Sequence, residues 1–160
     1  MKPVPLSPRL ALASLCLVLA CAEAHWASLR WPSDRPGTPR QPVLDAADLG
    51  LAVRATAIDY EPEAIVVALE LHNDGDALLQ IERAAITLAW DELEYAIEDG
   101  GSEPAWIELG PEAIAATQLR YHLGRPLTGP GSRLILRSLT RDGTSVVELP
   151  QLELPAMPMD

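Results

Sequence analysis

Ile65-Val66-Val67-Ala68-Leu69-Glu70-Leu71-His72, followed directly by Asn73-Asp74-Gly75-Asp76, decides the fold class of this chain. Ile65, Val67, Leu69 and Leu71 occupy one phase of a period-two repeat, while Ala68, Glu70 and His72 occupy the other. Such alternation describes a strand with one buried and one wet face. The polar, glycine-containing run behind it turns the chain. Upstream, Leu49, Leu51, Val53, Ala55 and Ala57 alternate with Arg54 and Thr56, which predicts an earlier strand pairing back across Glu61-Pro62-Glu63.

The same rhythm continues outward. Further strands are predicted over 78–81, 85–90, 93–98, 105–109, 113–123, 133–140 and 144–149. The last two form a hairpin, because Arg141-Asp142-Gly143 supplies a glycine where positive φ is needed. The alanine-rich part of 82–90 also permits a helical turn. Seven to nine short strands in roughly 110 residues predict an all-β domain, a β-sandwich that buries two inner sheet faces against each other. The chain has no phenylalanine, so the expected core is Leu, Ile, Val and Ala with Trp90, Trp106 and Tyr121 as its bulky members. With one cysteine left after the expected processing, stability must come from burial alone, which a domain of this length can supply.

Before this domain, Lys2, Arg9 and the amino terminus make a positive head ahead of an apolar run, 10–20, whose end forms Leu17-Val18-Leu19-Ala20-Cys21 with the next residue. As a helix this run covers roughly 17 Å against a hydrocarbon core of about 30 Å, too little to span it. It reads as a removable export signal with a lipoprotein processing box, and Cys21 as the lipidated residue. Cys16 lies in the segment cut away, so Cys21 has no internal partner, and an exported protein does not keep an exposed lone thiol without cost. Ala22-Glu23-Ala24 offers the competing small-x-small site of ordinary signal peptidase, which would release a secreted or periplasmic soluble protein. The expected organisation is a signal peptide over 1–20, lipidated Cys21 with a Pro/Arg-rich tether to residue 44, the sandwich over 45–155, and a tail over 156–160. Pro32, Pro36, Pro39 and Pro42 make that tether extended, up to ~70 Å at about 3.1 Å per residue. Trp26 and Trp31, among Arg30, Arg35 and Arg40, suit either lipid headgroups or packing on the domain.

Charge narrows the partners. Removal of 1–20 leaves ten arginines against 23 acidic residues, a net of −13 before termini and lipid, which excludes nucleic acid as an expected partner. Between Arg83 and Arg120 there is no basic residue, while Asp91, Glu92, Glu94, Glu98, Asp99, Glu103, Glu108 and Glu112 accumulate. Arg120, Arg125, Arg133, Arg137 and Arg141 follow almost unopposed. Asp91, Glu92, Glu94, Glu98, Asp99 and Trp106 are therefore the candidate partner-binding residues, with an ordinary solvated surface as the alternative. No metal or other cofactor is expected: the acidic stretches lack the twelve-residue register of a calcium loop, and His25, His72 and His122 are far apart in sequence, although strand pairing could bring His72 beside His122. No nucleophile elbow, phosphate loop or zincin helix is present, so no catalytic residue is assigned and the chain is not expected to be an enzyme.

Leu71-His72-Asn73-Asp74-Gly75-Asp76-Ala77-Leu78, then Leu109-Gly110-Pro111-Glu112, then Leu119-Arg120-Tyr121 resemble, in this order, small immunoglobulin-like domains of bacterial envelope proteins over about 49–150. The resemblance implies a non-catalytic immunoglobulin-like domain that binds or spaces an envelope partner, on a protein held to the membrane by lipid. Ala22 after the cysteine matches the sorting pattern for the outer membrane of diderm bacteria, facing the periplasm. Tyr95, Asp99, Gly100, Gly101 and Trp106 are similar in order to a segment of the bacterial intracellular proteinase inhibitors with an immunoglobulin-like fold. That similarity implies an alternative, an exposed loop over 99–106 offered to a protease, although the spacing past Trp106 departs from the family and no inhibitory loop carries over. A third expectation is an accessory subunit of a transport or surface assembly.

Overall fold

A computed structural model describes residues 27–33, 35–98 and 103–158. The described residues are all-β, with one short 3-10 turn. In order the strands are β1 (Ala27–Arg30), β2 (Val43–Ala46), β3 (Leu51–Tyr60), β4 (Ala64–Asn73), β5 (Leu79–Glu82), β6 (Ile86–Trp90) and β7 (Leu93–Tyr95). They continue as β8 (Trp106–Leu109), β9 (Ile114–His122), β10 (Arg133–Leu136), β11 (Leu139–Arg141), β12 (Thr144–Ser145) and β13 (Gln151–Glu153). All pairings are antiparallel and form three sheets. The first has the order β1-β3-β4-β9 with β2 also on β3, the second β12-β11-β5-β8, and the third β13-β10-β6-β7.

One core serves all three sheets in a sandwich-like arrangement. Ile65, Val67, Leu69 and Leu71 of β4 are buried there, as the alternation predicts, against Leu79 and Ile81 of the second sheet and Ile86, Leu88 and Leu134 of the third. At roughly 25 cal/mol per Å² of apolar surface removed from water, this shared interior is the main source of stability. The alternation in β3 does not run through. Ala55 faces Leu69 but Ala57 faces Ala68, so Thr56 is an extra residue, a β-bulge. Before the bulge Leu51, Val53 and Ala55 point inward, and after it Ile58 and Tyr60 do. Ala57, expected on the core face, is displaced from it by that one-residue slip.

The bulge also explains the stretch expected to be a tether. β1 pairs with Ala57–Tyr60 and β2 with Leu51–Arg54, so the chain lies on the first sheet well before Asp45. Between the two strands, Trp31 N donates to Thr56 O at 2.9 Å, Gln41 Nε2 to Ala55 O at 2.8 Å and Ala55 N to Pro42 O at 3.1 Å. Trp31 packs against the core with its indole N–H donating to Pro39 O at 2.9 Å, which settles its alternatives in favour of packing. Pro32, Pro36, Pro39 and Pro42 all fall between the two strands, where no ladder N–H is required. Residues 1–26, with the expected export signal, Cys21, His25 and Trp26, lie outside the described residues.

Other expectations change in detail: the described residues form thirteen strands where seven to nine were expected, and those expected over 93–98 and 144–149 end at Tyr95 and Ser145. The 82–90 stretch is a 3-10 turn over Arg83–Ala85 and then β6. The strand expected over 133–140 is two, β10 in the third sheet and β11 in the second, with Arg137 and Ser138 between them. Trp106 is 45% exposed, because Ile107 and Leu109 take the inward phase of β8, and Tyr60 fills the bulky core position instead. The β11–β12 hairpin turns where expected, with Asp142 and Gly143 at φ 49° and 77° as a type I′ turn requires.

Candidate functional site

The acidic residues singled out above begin on the β6–β7 hairpin. Its two-residue loop, Asp91-Glu92, has φ of 51° and 63°, the left-handed geometry that keeps the twist of both strands but is unusual for side-chain-bearing residues. Asp91 accepts a hydrogen bond from Arg125 Nη2 at 2.6 Å. The Arg125 guanidinium lies over the Trp90 ring, 4.5 Å from its centroid, and Trp90 in turn sits 6.4 Å from the Tyr95 ring. Hydrogen bonds to Asp91 and then to Tyr95 raise the Arg125 pKa further above its ordinary value.

Glu94 and Glu98 likewise meet arginines of the later, basic stretch, and Glu103 meets Arg83. Glu94 accepts a bidentate pair from Arg137, with Nε at 3.0 Å, and a 3.3 Å bond from the Thr87 hydroxyl. The Arg137 hydrogen bonds hold the Glu94 carboxyl below the usual carboxylate range, against the weaker effect of desolvation. Glu98 accepts from Arg120 Nε at 2.8 Å, and Arg120 reaches Glu61 with Nη2 at 2.6 Å. The bond to Glu61 is the larger cause of the raised Arg120 pKa, with that to Glu98 behind it. Glu103 accepts from Arg83 Nε at 2.7 Å and from the Thr117 hydroxyl at 2.8 Å. Part of the charge asymmetry of the sequence is thus cancelled in space: Asp91, Glu94 and Glu98 pair with the later Arg125, Arg137 and Arg120, and Glu103 with the earlier Arg83.

Asp91, Glu92 and Glu94 share one hairpin in the third sheet, Glu98 follows it beside β9, and Trp106 stands on β8 in the second sheet. The five described candidates therefore do not share one sheet, and Asp99 lies outside the described residues. Of the loop expected over 99–106, Glu103 is tied to Arg83, and Ala105 O accepts from Arg83 N at 2.9 Å, so this part lies against the domain's own edge. His72 and His122 do not meet either. His72 pairs with Ile114, and His122 with Ala64 eight residues further along β4, roughly 26 Å at 3.3 Å per residue. His72 Nδ1 instead lies 3.0 Å from Asp74. Among the described residues, no group of three or more His, Cys, Asp or Glu is arranged to hold a metal ion.

Two clusters escape the sequence reading. One is Arg125 on Trp90 and Asp91, whose members are more than thirty residues apart and share no spacing signal. The other is Asn73, fully buried at the end of β4. Its Nδ2 donates to Ala77 O at 2.7 Å, Leu109 O at 2.9 Å and Gly110 O at 3.0 Å, and its Oδ1 accepts from Gly75 N at 2.9 Å. Asparagine before a polar turn signals the last of these bonds but not the other three. Beside it Gly50, at φ 69°, has no room for a side chain: a Cβ would come 2.6 Å from Gly75 Cα. Buried phenols fix two further joints, Tyr121 donating to Ile86 O at 2.9 Å and Tyr60 to Pro155 O at 2.7 Å. Desolvation pushes both of their pKa values well above the ordinary tyrosine value. No known protein family, curated protein or solved structure matches this chain.

Proposed function

We propose that this protein is a non-catalytic, lipid-anchored component of the bacterial cell envelope, in which an immunoglobulin-like β-sandwich binds or spaces a protein partner. The observation that carries the reading is Val18-Leu19-Ala20-Cys21 at the end of an apolar run too short to cross a bilayer. Acyl chains on Cys21 attach the protein: each buried methylene contributes about 0.8 kcal/mol, so two or three chains hold it for good where one would not. The domain behind the anchor suits recognition through edges and turns, because its described arginines are mostly engaged by its own carboxylates and its second and third sheets end in short strands. Confinement to a surface raises the local concentration of any neighbour, so modest affinity suffices. The residue after the cysteine, Ala22, favours the outer membrane and the periplasmic side.

The test is Cys21→Ala, expressed from the full-length gene and fractionated. The expected result is a move from the membrane to the soluble fraction and loss of the lipid mass from the amino terminus. A Cys21→Ala protein that stays with membranes as well as the parent overturns the anchor.

A further inference from the structure

Given the lipidation of Cys21, on which this rests, the fold fixes which end of the domain meets the membrane. Only Ala22 to Trp26 separate Cys21 from Ala27. Six Cα-to-Cα steps reach at most ~20 Å, at roughly 3.3 to 3.6 Å per residue. Ala27 itself is held in β1, opposite Tyr60, and Tyr60 is locked by burial and by its bond to Pro155 O. The chain therefore enters at the end of the domain where β3 turns into β4.

That end gathers the Glu61-Pro62-Glu63 turn, Leu123 and Gly124, whose N–H groups donate to Glu63 O at 2.7 and 3.2 Å, and the Asp91-Glu92 turn beneath Arg125. The opposite end gathers the turns beside Gly50, Gly75, Gly110 and Gly143, drawn together by Asn73 and by Asp142, whose carboxylate accepts from Leu78 N at 2.9 Å. Along β4, from Ala64 at the near end to Asn73 at the far end, the separation is about 30 Å at 3.3 Å per residue. A connection of ~20 Å cannot run back along a ~30 Å strand, so the far end cannot be turned down onto the lipid. Lying on a broad face gains nothing either, since both faces carry hydrated ion pairs, Arg54 with Glu70 at 2.8 Å on the first sheet and Arg137 with Glu94 on the third.

We propose that the end formed by the β3–β4 turn and the Asp91-Glu92 hairpin loop is the lipid-facing surface, and that the Asn73-clasped end is presented to the aqueous compartment. Asp91 and Glu92 then face headgroups and not a partner.

The experiment uses the full-length, processed lipoprotein in phosphatidylethanolamine/phosphatidylglycerol vesicles that contain an acceptor-labelled lipid. Glu63→Cys at the near end and Asp76→Cys at the far end, where Asp76 is 97% exposed on its side chain, each carry a donor dye. The Cys21 thiol is blocked by its lipid and Cys16 leaves with the signal, so each label has one site. Energy transfer from position 63 is expected to exceed that from position 76 several-fold, and a flexible spacer of about fifteen residues after Ala24, long enough to outreach the strand, is expected to erase the difference. Equal transfer without the spacer, or greater transfer from position 76, overturns the orientation while leaving the anchor in place, and a difference that survives the spacer overturns the short tether as its cause. Failure of the protein to float with the vesicles overturns the anchor, and the orientation with it.

Discussion

The first sheet and the layer facing it solve the same problem in different ways. β3, β4 and β9 run for ten, ten and nine residues with a single bulge, and β4 is paired along both edges. Opposite them no strand runs so far. The chain breaks at Arg83–Ala85 between β5 and β6, and again at Arg137 and Ser138 between β10 and β11. The two breaks lie side by side: Arg137 N donates to Ala85 O at 3.0 Å and Glu82 N to Ser138 O at 3.1 Å, so the backbone stays satisfied while both strands change sheet. A continuous strand accumulates twist, and a layer that must wrap a shared core relieves it by turning a corner. The lesson is that the unbroken sheet sets the register of the domain and the broken layer adapts to it through arginine and asparagine side chains.

Removing Asn73 should break that relation most severely. It joins the turn by which the chain leaves the first sheet, at Ala77, to the turn by which it returns, at Leu109 and Gly110. Asn73→Ala deletes four hydrogen bonds and strands buried carbonyls, so unfolding in urea is expected to show a loss of about 3 kcal/mol. A loss under about 1 kcal/mol would mean that the two layers are coupled elsewhere. Arg83→Ala probes the break itself. The Arg83 side chain is only 11% exposed and spans from the 3-10 turn to Glu103, Thr117 and Gln118 O. Its removal should cost about 1–2 kcal/mol and speed amide exchange in β8 and β9 but not in the centre of β4, as mass spectrometry can read. Uniform acceleration would contradict a locally adapting layer.

The smallest effect is expected from Arg137→Ala, because exposed ion pairs contribute only ~0–1 kcal/mol. Its signature is its pH dependence. The Glu94 carboxyl is lowered by Arg137, so the pair stabilises the fold above the ordinary glutamate value of about 4.3 and fades as pH falls through the lower folded value. Melting temperatures of parent and variant should differ near neutrality and converge in acid. A gap that persists below the carboxylate range would assign the effect to packing of the Arg137 stem.

How much of this was legible follows from distance along the chain. The alternation in β4 and the Asp142-Gly143 hairpin depend on neighbours, and the sequence displays them openly. The bulge at Thr56 does not show, since Ala55, Thr56 and Ala57 are similar in size and carry no glycine signal, and a slip of one position reverses the faces beyond it. Nor does the corner at Arg137 and Ser138, which has neither proline nor glycine. β1 and β2 are hidden by the prolines between them, whose composition reads as linker although both strands need only one neighbour, β3. The ion pairs of the candidate residues were hidden for a related reason. The partners of Asp91, Glu94 and Glu98 lie 34, 43 and 22 residues away, so two oppositely charged stretches look like separate poles until the sheets bring them together.

The pairing of β1 with β3 also governs how the domain withstands being pulled. Tension on the chain entering at Ala27 acts parallel to that short strand, so its backbone bonds to Ala57–Tyr60 are loaded in shear and must yield together. A tug from the same side on a hairpin would open it one rung at a time, like a zip; here the first rung to fail is also the last.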